Sequence, residues 1–288
     1  MDDREAGELP DAGLAAPITN RSRSRLVRVL APVDPRDHLI VAMDTASPEA
    51  AEAIADRLTD AARWFKVGSE LYTAAGPSAV RAFTRRGRVF LDLKFHDIPA
   101  TVSGAVAAAA RLGIAMCTVH AGGGAAMMRA AREAADRAVQ VVGQERLRII
   151  GVTLLTSEDR EVLREVCLEG SPREVTLRLA RLAQEAGLDG VVASPLEVAD
   201  VRAACGSGFL IVCPGIRLGR TAGDDQRRVG TPQEAIAAGA DFLVVGRPIT
   251  RAGDPRAAFE EIVRQMAGHN AARPRRSCED DLGHGSIR

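Results

Sequence analysis

The chain has 288 residues, of which 38 are basic and 38 acidic, so its formal net charge is zero. This balance, together with an aromatic content of only 3%, argues against general nucleic-acid binding. No apolar run approaches the roughly 20 residues that a membrane-spanning helix requires. The five cysteines form no Cys-x-x-Cys pair, which favours reduced thiols in a cytoplasmic protein without a zinc site.

The two ends of the chain differ in composition from the middle. Residues 1–37 carry an acidic patch followed by several arginines and prolines, without the apolar centre of a secretory signal. Residues 268–288 are rich in Gly, Arg, Asp and Ser. Both segments are typical of disordered tails, so the sequence predicts a single folded domain over residues 38–267.

Between the tails, short apolar runs alternate eight times with helical stretches. The runs are too short and too uniformly apolar for helices, and they suit strands that are buried on both faces. Three helical stretches begin with the Ser/Thr-Pro-x-Glu pattern of a capping box, at Ser171, Ser194 and Thr231. Eight such units predict an α/β protein with a (β/α)8 barrel, the TIM-barrel fold, and a doubly wound open sheet is the main alternative. The predicted strands are Leu39–Asp44, Trp64–Gly68, Val89–Lys94, Met116–His120, Ile149–Leu154, Gly190–Ala193, Leu210–Cys213 and Phe242–Gly246.

Four charged residues of alternating sign lie at the ends of the first three runs. Only two of the 38 basic residues are lysine, and both of them, Lys66 and Lys94, lie here with Asp44 and Asp92. Arginine is effectively never deprotonated, whereas an ammonium group can give up a proton or act as a compact charge. Because active sites of these barrels lie at the C-terminal strand ends, we expect the four residues in one site. The structural alternative is an ion-pair network that only closes the top of the barrel.

Lys94 lies between two carboxylates in the chain, Asp92 and Asp97. Residues i and i+2 of a strand point to the same face, so Asp92 and Lys94 are expected to project together. Nearby carboxylates favour the ammonium form of a lysine. Lys94 is therefore interpreted as a proton donor or a fixed positive charge, and not as the neutral amine that forms an imine.

Segments after the later strands are typical of ligand contacts. The eighth run ends in Gly246 and Arg247, where glycine lets the backbone approach phosphate oxygens and arginine binds two of them. The glycine-rich loop after the seventh run predicts a lid that carries Arg217 and Gln226. The hydroxyls in Leu154–Ser157 are available either to a polar ring edge or to the cap of the next helix.

The ten residues from Asp92 to Thr101, DLKFHDIPAT, resemble the signature of the orotidine 5'-monophosphate decarboxylase family. The resemblance covers about residues 38–267. One departure is Ala100, where members of this family often have Asn. The resemblance implies decarboxylation of orotidine 5'-monophosphate to UMP, the last step of pyrimidine biosynthesis, with no metal and no cofactor. Other matching segments are 41–44, 65–68, 154–157, 214–217, 223–228 and 245–248.

The resemblance also implies the chemistry of the charged residues. Lys94, as an ammonium group, stabilises the carbanion at C6 of the pyrimidine and then protonates it. Asp92 lies beside the substrate carboxylate, where it either destabilises that group or only positions Lys94. Asp44 and Lys66 hold the ribose hydroxyls and complete the charge network.

The remaining residues implied by the resemblance bind the substrate or come from a second subunit. The family forms homodimers with shared active sites, in which Asp97, a catalytic residue, and Thr101 reach the ribose in the neighbouring subunit. Thr156, with Ser157 as the alternative, meets the pyrimidine edge. The phosphate is bound by Arg217, Gln226, Gly246 and Arg247.

Three other functions remain open on the sequence. A magnesium-dependent barrel that decarboxylates or condenses sugar phosphates needs carboxylates that are free to hold the metal, whereas Asp92 and Asp97 flank a lysine. A Schiff-base aldolase conflicts with the ammonium form expected for Lys94. A non-catalytic nucleotide-binding barrel explains the phosphate residues but leaves Lys94 without a role.

Overall fold

Eight parallel strands close into a barrel in the order in which they follow one another along the chain. The last strand pairs with the first, so the sheet has no free edge. The predicted (β/α)8 barrel is confirmed, and the strand ends differ from the predicted ones by only one or two residues. The strands are β1 Leu39–Ala42, β2 Trp64–Gly68, β3 Arg88–Phe95, β4 Met116–His120, β5 Arg148–Val152, β6 Gly190–Val192, β7 Leu210–Cys213 and β8 Phe242–Val245.

The structure is a computed structural model, and it describes residues 34–142, 146–218 and 228–267. The predicted tails lie almost entirely outside these ranges, so their disorder and the exact domain limits stay predictions. Among the helices within the described ranges, none combines the length and the apolar character needed to cross a bilayer.

Helices follow the strands and cover the outside of the barrel. They are α1 Pro48–Arg57, α2 Ser69–Ala75, α3 Pro77–Thr84, α4 Pro99–Ala110, α5 Gly124–Val142, α6 Arg160–Glu165, α7 Pro172–Glu185, α8 Val198–Cys205, α9 Pro232–Ala238, α10 Arg247–Thr250 and α11 Pro255–Ala267, with short 3-10 helices at Pro35–His38 and Ala121–Gly123.

Two of the three predicted capping boxes are confirmed. Ser171 and Thr231 each accept a hydrogen bond from the backbone N–H of a glutamate at the third helical position, and that glutamate's carboxylate accepts one from the backbone N–H of the capping residue. The prediction at Ser194 is wrong, because the helix begins only at Val198. The Glu197 carboxylate that should complete the box instead accepts hydrogen bonds from the Ser194 hydroxyl and from a distant arginine.

The interior of the barrel changes from apolar to charged along the strand direction. At the N-terminal end, the rings of Trp64 and Phe242 meet edge to face at 5.3 Å, and both belong to the apolar cluster inside the barrel. Phe90 lies in the same cluster. Lys66 and Asp92 follow Trp64 and Phe90 by two residues, so they share the inward face at the next level. Strand alternation therefore places the buried charges on the C-terminal side of the apolar cluster.

Candidate active site

Four charged side chains of alternating sign form a row at the C-terminal ends of β1, β2 and β3; this group is called the charged row. The Lys66 Nζ lies 2.7 Å from Asp44 Oδ1 and 3.5 Å from Asp92 Oδ2. The Lys94 Nζ lies 3.0 Å from Asp92 Oδ1. The order is thus Asp44, Lys66, Asp92, Lys94, and each inner member contacts an opposite charge on both sides. The structure brings together all four residues that the sequence predicted in one site.

The inner and outer members of the charged row differ in burial. The side chains of Lys66 and Asp92 are 9% and 13% exposed, whereas those of Lys94 and Asp44 are 35% and 51% exposed. Burial alone would raise the pKa of Asp92, but Lys66 and Lys94 lower it below its ordinary value. Burial alone would lower the pKa of Lys66, but Asp92 and Asp44 raise it. The inner pair is therefore held ionised, while the outer members remain accessible.

Gly68, the last residue of β2, leaves the space that the charged row occupies. A Cβ atom at this position would lie 2.8 Å from both Asp44 Oδ1 and Lys66 Nζ. These distances are well inside the van der Waals separation of about 3.5 Å. A side chain at position 68 would therefore require Lys66 or Asp44 to move.

The backbone of β3 is irregular where it presents Lys94. Leu91 pairs with Cys117 of β4, but the next pair joins Phe95 to Val119, so β3 advances further than β4 between the two pairs. Lys94 has a φ of +52°, in the left-handed region that favours glycine. The side chains of Lys94 and Asp92 do meet, but through this bulge and not through the regular alternation on which the sequence prediction rested.

Thr118 in β4 contacts both members of this pair and was missed by sequence reasoning. It is fully buried. Its hydroxyl accepts a hydrogen bond from the Lys94 N–H at 2.8 Å and donates one to Asp92 Oδ1 at 3.1 Å. Threonine is common in strands, so its presence in the Met116–His120 run carries no signal of function.

The charged row borders a cavity of about 490 Å³ at the C-terminal mouth of the barrel. This volume lies within the range of small-molecule sites. Glu70, Thr250 and Arg251 also line the cavity, and sequence reasoning missed them because they lie in or just after helices and not at strand ends. The predicted residues that line the cavity are Asp44, Lys66, Asp92, Lys94, Thr156, Arg217, Gly246 and Arg247.

The part of the cavity formed after β7 and β8 is rich in guanidinium groups and contains Gly246. Arg217 follows β7, and its Nη1 donates a hydrogen bond to the Ile216 carbonyl at 2.8 Å. Arg247 begins α10 and is exposed. Gly246 lies against β1, where a Cβ atom would come within 3.4 Å of Ala42 Cβ. The arrangement is compatible with the predicted anion site, which stays a prediction. The predicted residue Gln226 lies outside the described residues.

The hydroxyls after β5 face the cavity and do not cap the next helix. Thr156 and Ser157 both line the cavity. The N-terminus of α6 is capped by Asp159, whose Oδ1 accepts hydrogen bonds from the backbone N–H groups of Glu161 at 2.9 Å and Val162 at 3.1 Å. The capping alternative for these hydroxyls is therefore wrong, and both remain available to a ligand.

A buried ion pair joins the loops that follow β5 and β6 to the chain before α9. Arg228 Nη1 donates to Glu197 Oε1 at 2.6 Å, and its Nη2 donates to the Leu155 carbonyl at 2.7 Å. Both charged side chains are less than a tenth exposed. Removing one partner would leave an uncompensated buried charge, so the pair fixes the position of Leu155, next to Thr156.

The chain on either side of residues 219–227 is paired. The Arg217 N–H donates to the Gly230 carbonyl at 2.9 Å, and the Gly230 N–H donates to the Gly215 carbonyl at 3.1 Å. Gly230 also packs tightly on the loop after β6, since a Cβ atom there would lie 2.7 Å from Pro195 Cβ. The two ends of the segment are thus held together at the rim of the cavity.

Asp97 and Thr101 lie apart from the cavity of their own chain. Both are exposed, and neither is among the described residues that line the cavity. Asp97 Oδ1 accepts a hydrogen bond from the Ile98 N–H at 2.6 Å, and Ile98 itself is 66% exposed. The structure therefore does not join these two predicted residues to the charged row within one subunit.

An eight-stranded barrel with a row of carboxylate and ammonium groups at its C-terminal mouth defines a barrel enzyme that acts on a small anionic substrate. Residues 37–262 match the family described as orotidine 5'-phosphate decarboxylase / HUMPS, and the chain belongs to this family.

Curated relatives and a solved structure agree with this assignment. The orotidine 5'-phosphate decarboxylase of Moorella thermoacetica is 52% identical over 233 residues, which span 80% of this chain and 92% of the relative. That of Trichlorobacter lovleyi is 48% identical over 232 residues, 80% of this chain and 95% of the relative. The crystal structure of orotidine 5'-phosphate decarboxylase from Lactobacillus acidophilus superposes with a TM-score of 0.71 at 39% identity, covering 80% of this chain and 98% of the other.

Proposed function

We propose that this protein converts orotidine 5'-monophosphate to UMP and carbon dioxide, the last step of pyrimidine biosynthesis, with no metal or cofactor. The observation that carries the proposal is the charged row, at the strand ends of a chain that belongs to this family. The activity named for the relatives, which match four fifths of the chain, supports it.

Lys94 is the proposed proton donor. Heterolysis of the bond between C6 and the carboxylate releases carbon dioxide and leaves an electron pair at C6 in the plane of the ring, where the π system cannot delocalise it. The Lys94 ammonium group, 3.0 Å from Asp92 and one-third exposed, offers both a positive charge and a proton. The proton passes from Nζ to C6 and leaves a neutral amine. This is electrostatic preorganisation combined with general acid catalysis.

Asp92 is proposed to hold Lys94 in place. Its Oδ1 lies 3.0 Å from Lys94 Nζ and its Oδ2 lies 3.5 Å from Lys66 Nζ. Because the two lysines hold the pKa of Asp92 below its ordinary value despite burial, it stays a carboxylate at neutral pH. A carboxylate in this place also repels a substrate carboxylate beside it, so ground-state destabilisation is compatible with the same contacts.

The ribose is proposed to bind at the outer end of the charged row. Asp44 is half exposed and offers its carboxylate to ribose hydroxyls, while the buried Lys66 fixes that carboxylate at 2.7 Å. Thr156, or its neighbour Ser157, is proposed to meet the pyrimidine edge, since both hydroxyls line the cavity. These contacts would orient C6 toward Lys94.

The phosphate is proposed to bind between the ends of β7 and β8, where it is held by Arg217, Gly246, Arg247 and Gln226. Arginine binds phosphate through two parallel hydrogen bonds, and the lack of a side chain at Gly246 opens the backbone to the oxygens. Binding energy at this remote group can be used to lower the barrier at C6.

The active enzyme is proposed to be a homodimer in which Asp97 and Thr101 complete the neighbouring subunit's site. Their exposure and their position outside the cavity of their own chain support this role. The exposed apolar side chain of Ile98 between them suits a contact with a second copy.

Subunit exchange between two damaged variants tests the shared site. Lys94→Ala and Asp97→Ala homodimers each carry two damaged sites, whereas a mixed dimer carries one site with both defects and one with neither. With random exchange about half of the dimers are mixed, so about a quarter of wild-type activity should return. If mixed dimers are confirmed by mass and activity stays flat, both residues act within one subunit.

Three contacts of Asp92 distinguish this proposal from a metal-dependent barrel. Asp92 Oδ1 accepts from Lys94 and Thr118, and Asp92 Oδ2 faces Lys66, so ammonium and hydroxyl donors occupy the positions that a metal would take. A non-catalytic nucleotide-binding barrel would not explain why the charged row is present.

The deciding experiment follows the loss of orotidine 5'-monophosphate absorbance in the presence of EDTA. The wild-type protein should turn over the substrate with the chelator present, and Lys94→Ala under the same conditions should not. Turnover that requires added magnesium would favour the metal-dependent alternative. Inactivation by borohydride in the presence of substrate would favour an imine, and no turnover in any condition would overturn the proposed function.

A further inference from the structure

The Thr118 side chain contacts both the backbone of Lys94, at the bulge of β3, and the carboxylate of Asp92. At the bulge, the N–H of Lys94 donates to the Thr118 hydroxyl at 2.8 Å. The left-handed conformation of Lys94 is unfavourable for a residue with a side chain. The side chain of Thr118 therefore supplies the acceptor that an irregular strand requires.

The same hydroxyl has only one proton, and its direction is fixed. Because the oxygen accepts from the Lys94 N–H, the proton is free to point to Asp92 Oδ1, which lies 3.1 Å away. Asp92 Oδ1 also faces the Lys94 Nζ at 3.0 Å. One hydroxyl thus sets the backbone of Lys94 and the carboxylate that its ammonium group contacts.

Building on the decarboxylation proposed above, we propose that Thr118 is a positioning residue, which holds the Lys94 backbone and the Asp92 carboxylate in the separation that directs the Lys94 ammonium group to C6. It acts through these two residues and touches no reacting atom. It is not needed to bind the ribose or the phosphate, whose proposed residues lie in other loops.

Thr118→Val is the direct test, because valine keeps the shape and removes both hydrogen bonds. The Lys94 N–H then loses its acceptor and Asp92 loses a donor, so kcat for orotidine 5'-monophosphate should fall about tenfold or more. KM and the affinity for UMP should change less than about twofold, since substrate contacts remain.

Two further variants separate the hydroxyl from packing. Thr118→Ser keeps the hydroxyl and should retain kcat within about threefold, even where the lost methyl group lowers stability. Thr176→Val is the matched control, because Thr176 is equally buried and its hydroxyl has no partner among the described residues. Its kcat should equal that of the wild type.

The pH profile provides a readout that a purely structural role would not move. Lys66 and Lys94 face Asp92 from β2 and β3, and Thr118 faces it from β4. Loss of the Thr118 hydrogen bond raises the pKa of Asp92, so the acid limb of the kcat profile should move to higher pH in Thr118→Val. It should not move in Thr176→Val.

The proposal is overturned if Thr118→Val keeps kcat within about twofold with an unchanged acid limb. It is also overturned if Thr118→Ser loses as much as Thr118→Val, because packing then explains both. If Thr118→Val does not fold, Thr118→Cys replaces it, since a thiol has similar volume and is only a weak donor. A wild-type protein without turnover would overturn the proposed function instead, and the two failures are thereby distinguished.

Discussion

The charged row at the mouth and the N-terminal end of the barrel pair their carboxylates with different cations. At the C-terminal mouth, Asp44 and Asp92 face the only two lysines of the chain. At the N-terminal end, the acidic residues that precede the strands face arginines. The difference indicates that a carboxylate held for stability takes a planar guanidinium with many donors, whereas a carboxylate in the proposed site takes a compact ammonium group that can release a proton.

Asp241, just before β8, illustrates the N-terminal arrangement. Its Oδ2 accepts from Arg202 Nη2 at 2.5 Å and from the Ile211 N–H at 2.8 Å. The same guanidinium donates to the carbonyls of Gly239 at 2.9 Å, Phe209 at 2.7 Å and Gly206 at 2.5 Å. One arginine therefore contacts four groups at the bottom of the barrel.

Asp189, just before β6, shows the electrostatic difference. It accepts from the Ile149 N–H at 2.8 Å and from Arg132 Nη1 at 3.2 Å, and it also pairs with Arg146. Burial raises the pKa of Asp189 above its ordinary value in spite of these partners. The pKa of Asp92 is lowered in spite of burial, because two ammonium groups contact it. The negative charge of Asp92 at the mouth is thus stabilised more strongly than that of Asp189 at the N-terminal end.

The largest expected effect comes from exchanging the cation at the mouth. Lys94→Arg keeps the positive charge but is bulkier and effectively never deprotonates, so it cannot deliver a proton to C6. Activity should fall by several orders of magnitude, as in Lys94→Ala, while both variants still bind UMP. The measurement is kcat with orotidine 5'-monophosphate and the Kd for UMP. If the kcat of Lys94→Arg lies within about tenfold of the wild-type value, the proposed difference between lysine and arginine at the mouth is wrong.

A smaller effect is expected from the arginine at the edge of the mouth. Arg247 is proposed to bind the phosphate and not to take part in proton transfer, so Arg247→Ala should lower kcat/KM for the nucleotide by roughly a hundredfold. Orotidine, which lacks the phosphate, serves as the control substrate and should be affected little. Equal losses with both substrates would assign Arg247 a structural role.

The reciprocal exchange at the N-terminal end should affect stability and leave activity unchanged. In Arg202→Lys, one ammonium group replaces a guanidinium that contacts Asp241 and three carbonyls, so the free energy of unfolding should fall by about 1–3 kcal/mol. Urea denaturation measures the loss, and kcat should stay at the wild-type value. A large fall in kcat without a stability change would show that the two ends are not separate in function.

The smallest effect is expected from His120 at the end of β4. Its Nδ1 accepts from the Gly122 N–H at 3.2 Å, and its ring stacks on His96 at 5.1 Å. Burial, followed by His96 and Lys94, lowers its pKa below 6.5, and only Glu158 opposes this. The unfolded chain therefore takes up the proton first.

The pH dependence follows from this order of protonation. The neutral ring contributes fully to stability above about pH 6.5, and the contribution is lost as the pH falls toward the lowered pKa of the folded protein. His120→Asn retains an acceptor for the turn and does not titrate. The free energy of unfolding of this variant should fall less steeply between pH 6.5 and pH 5 than that of wild type. Parallel curves would show that His120 contributes nothing to the acid sensitivity.

The strands could be predicted because they are buried on both faces and therefore appear as continuous apolar runs. The failure at Ser194 has a specific cause. A capping box requires a free glutamate, but Glu197 is engaged by Arg228, which lies 31 residues further along the chain. Local sequence cannot report a long-range ion pair that competes for the same carboxylate.

The charged row could be predicted from residue type and strand position, but its geometry could not. The contact between Asp92 and Lys94 depends on a register shift between β3 and β4, and Thr118 is noticeable only once that shift is known. The roles of Asp97 and Thr101 stay predictions because they require a second subunit. Gln226 also stays a prediction, since it lies outside the described residues.

The pairing of Gly230 with Gly215 and Arg217 brings together the chain on the two sides of residues 219–227. The ends of this segment are already fixed, so a graft of twice the length would cost only about 0.6 kcal/mol in closure entropy. A change of length between positions 218 and 228 would therefore leave these backbone pairs in place. The contacts at the bottom of the barrel, such as that of Arg202 with Asp241, would also be retained.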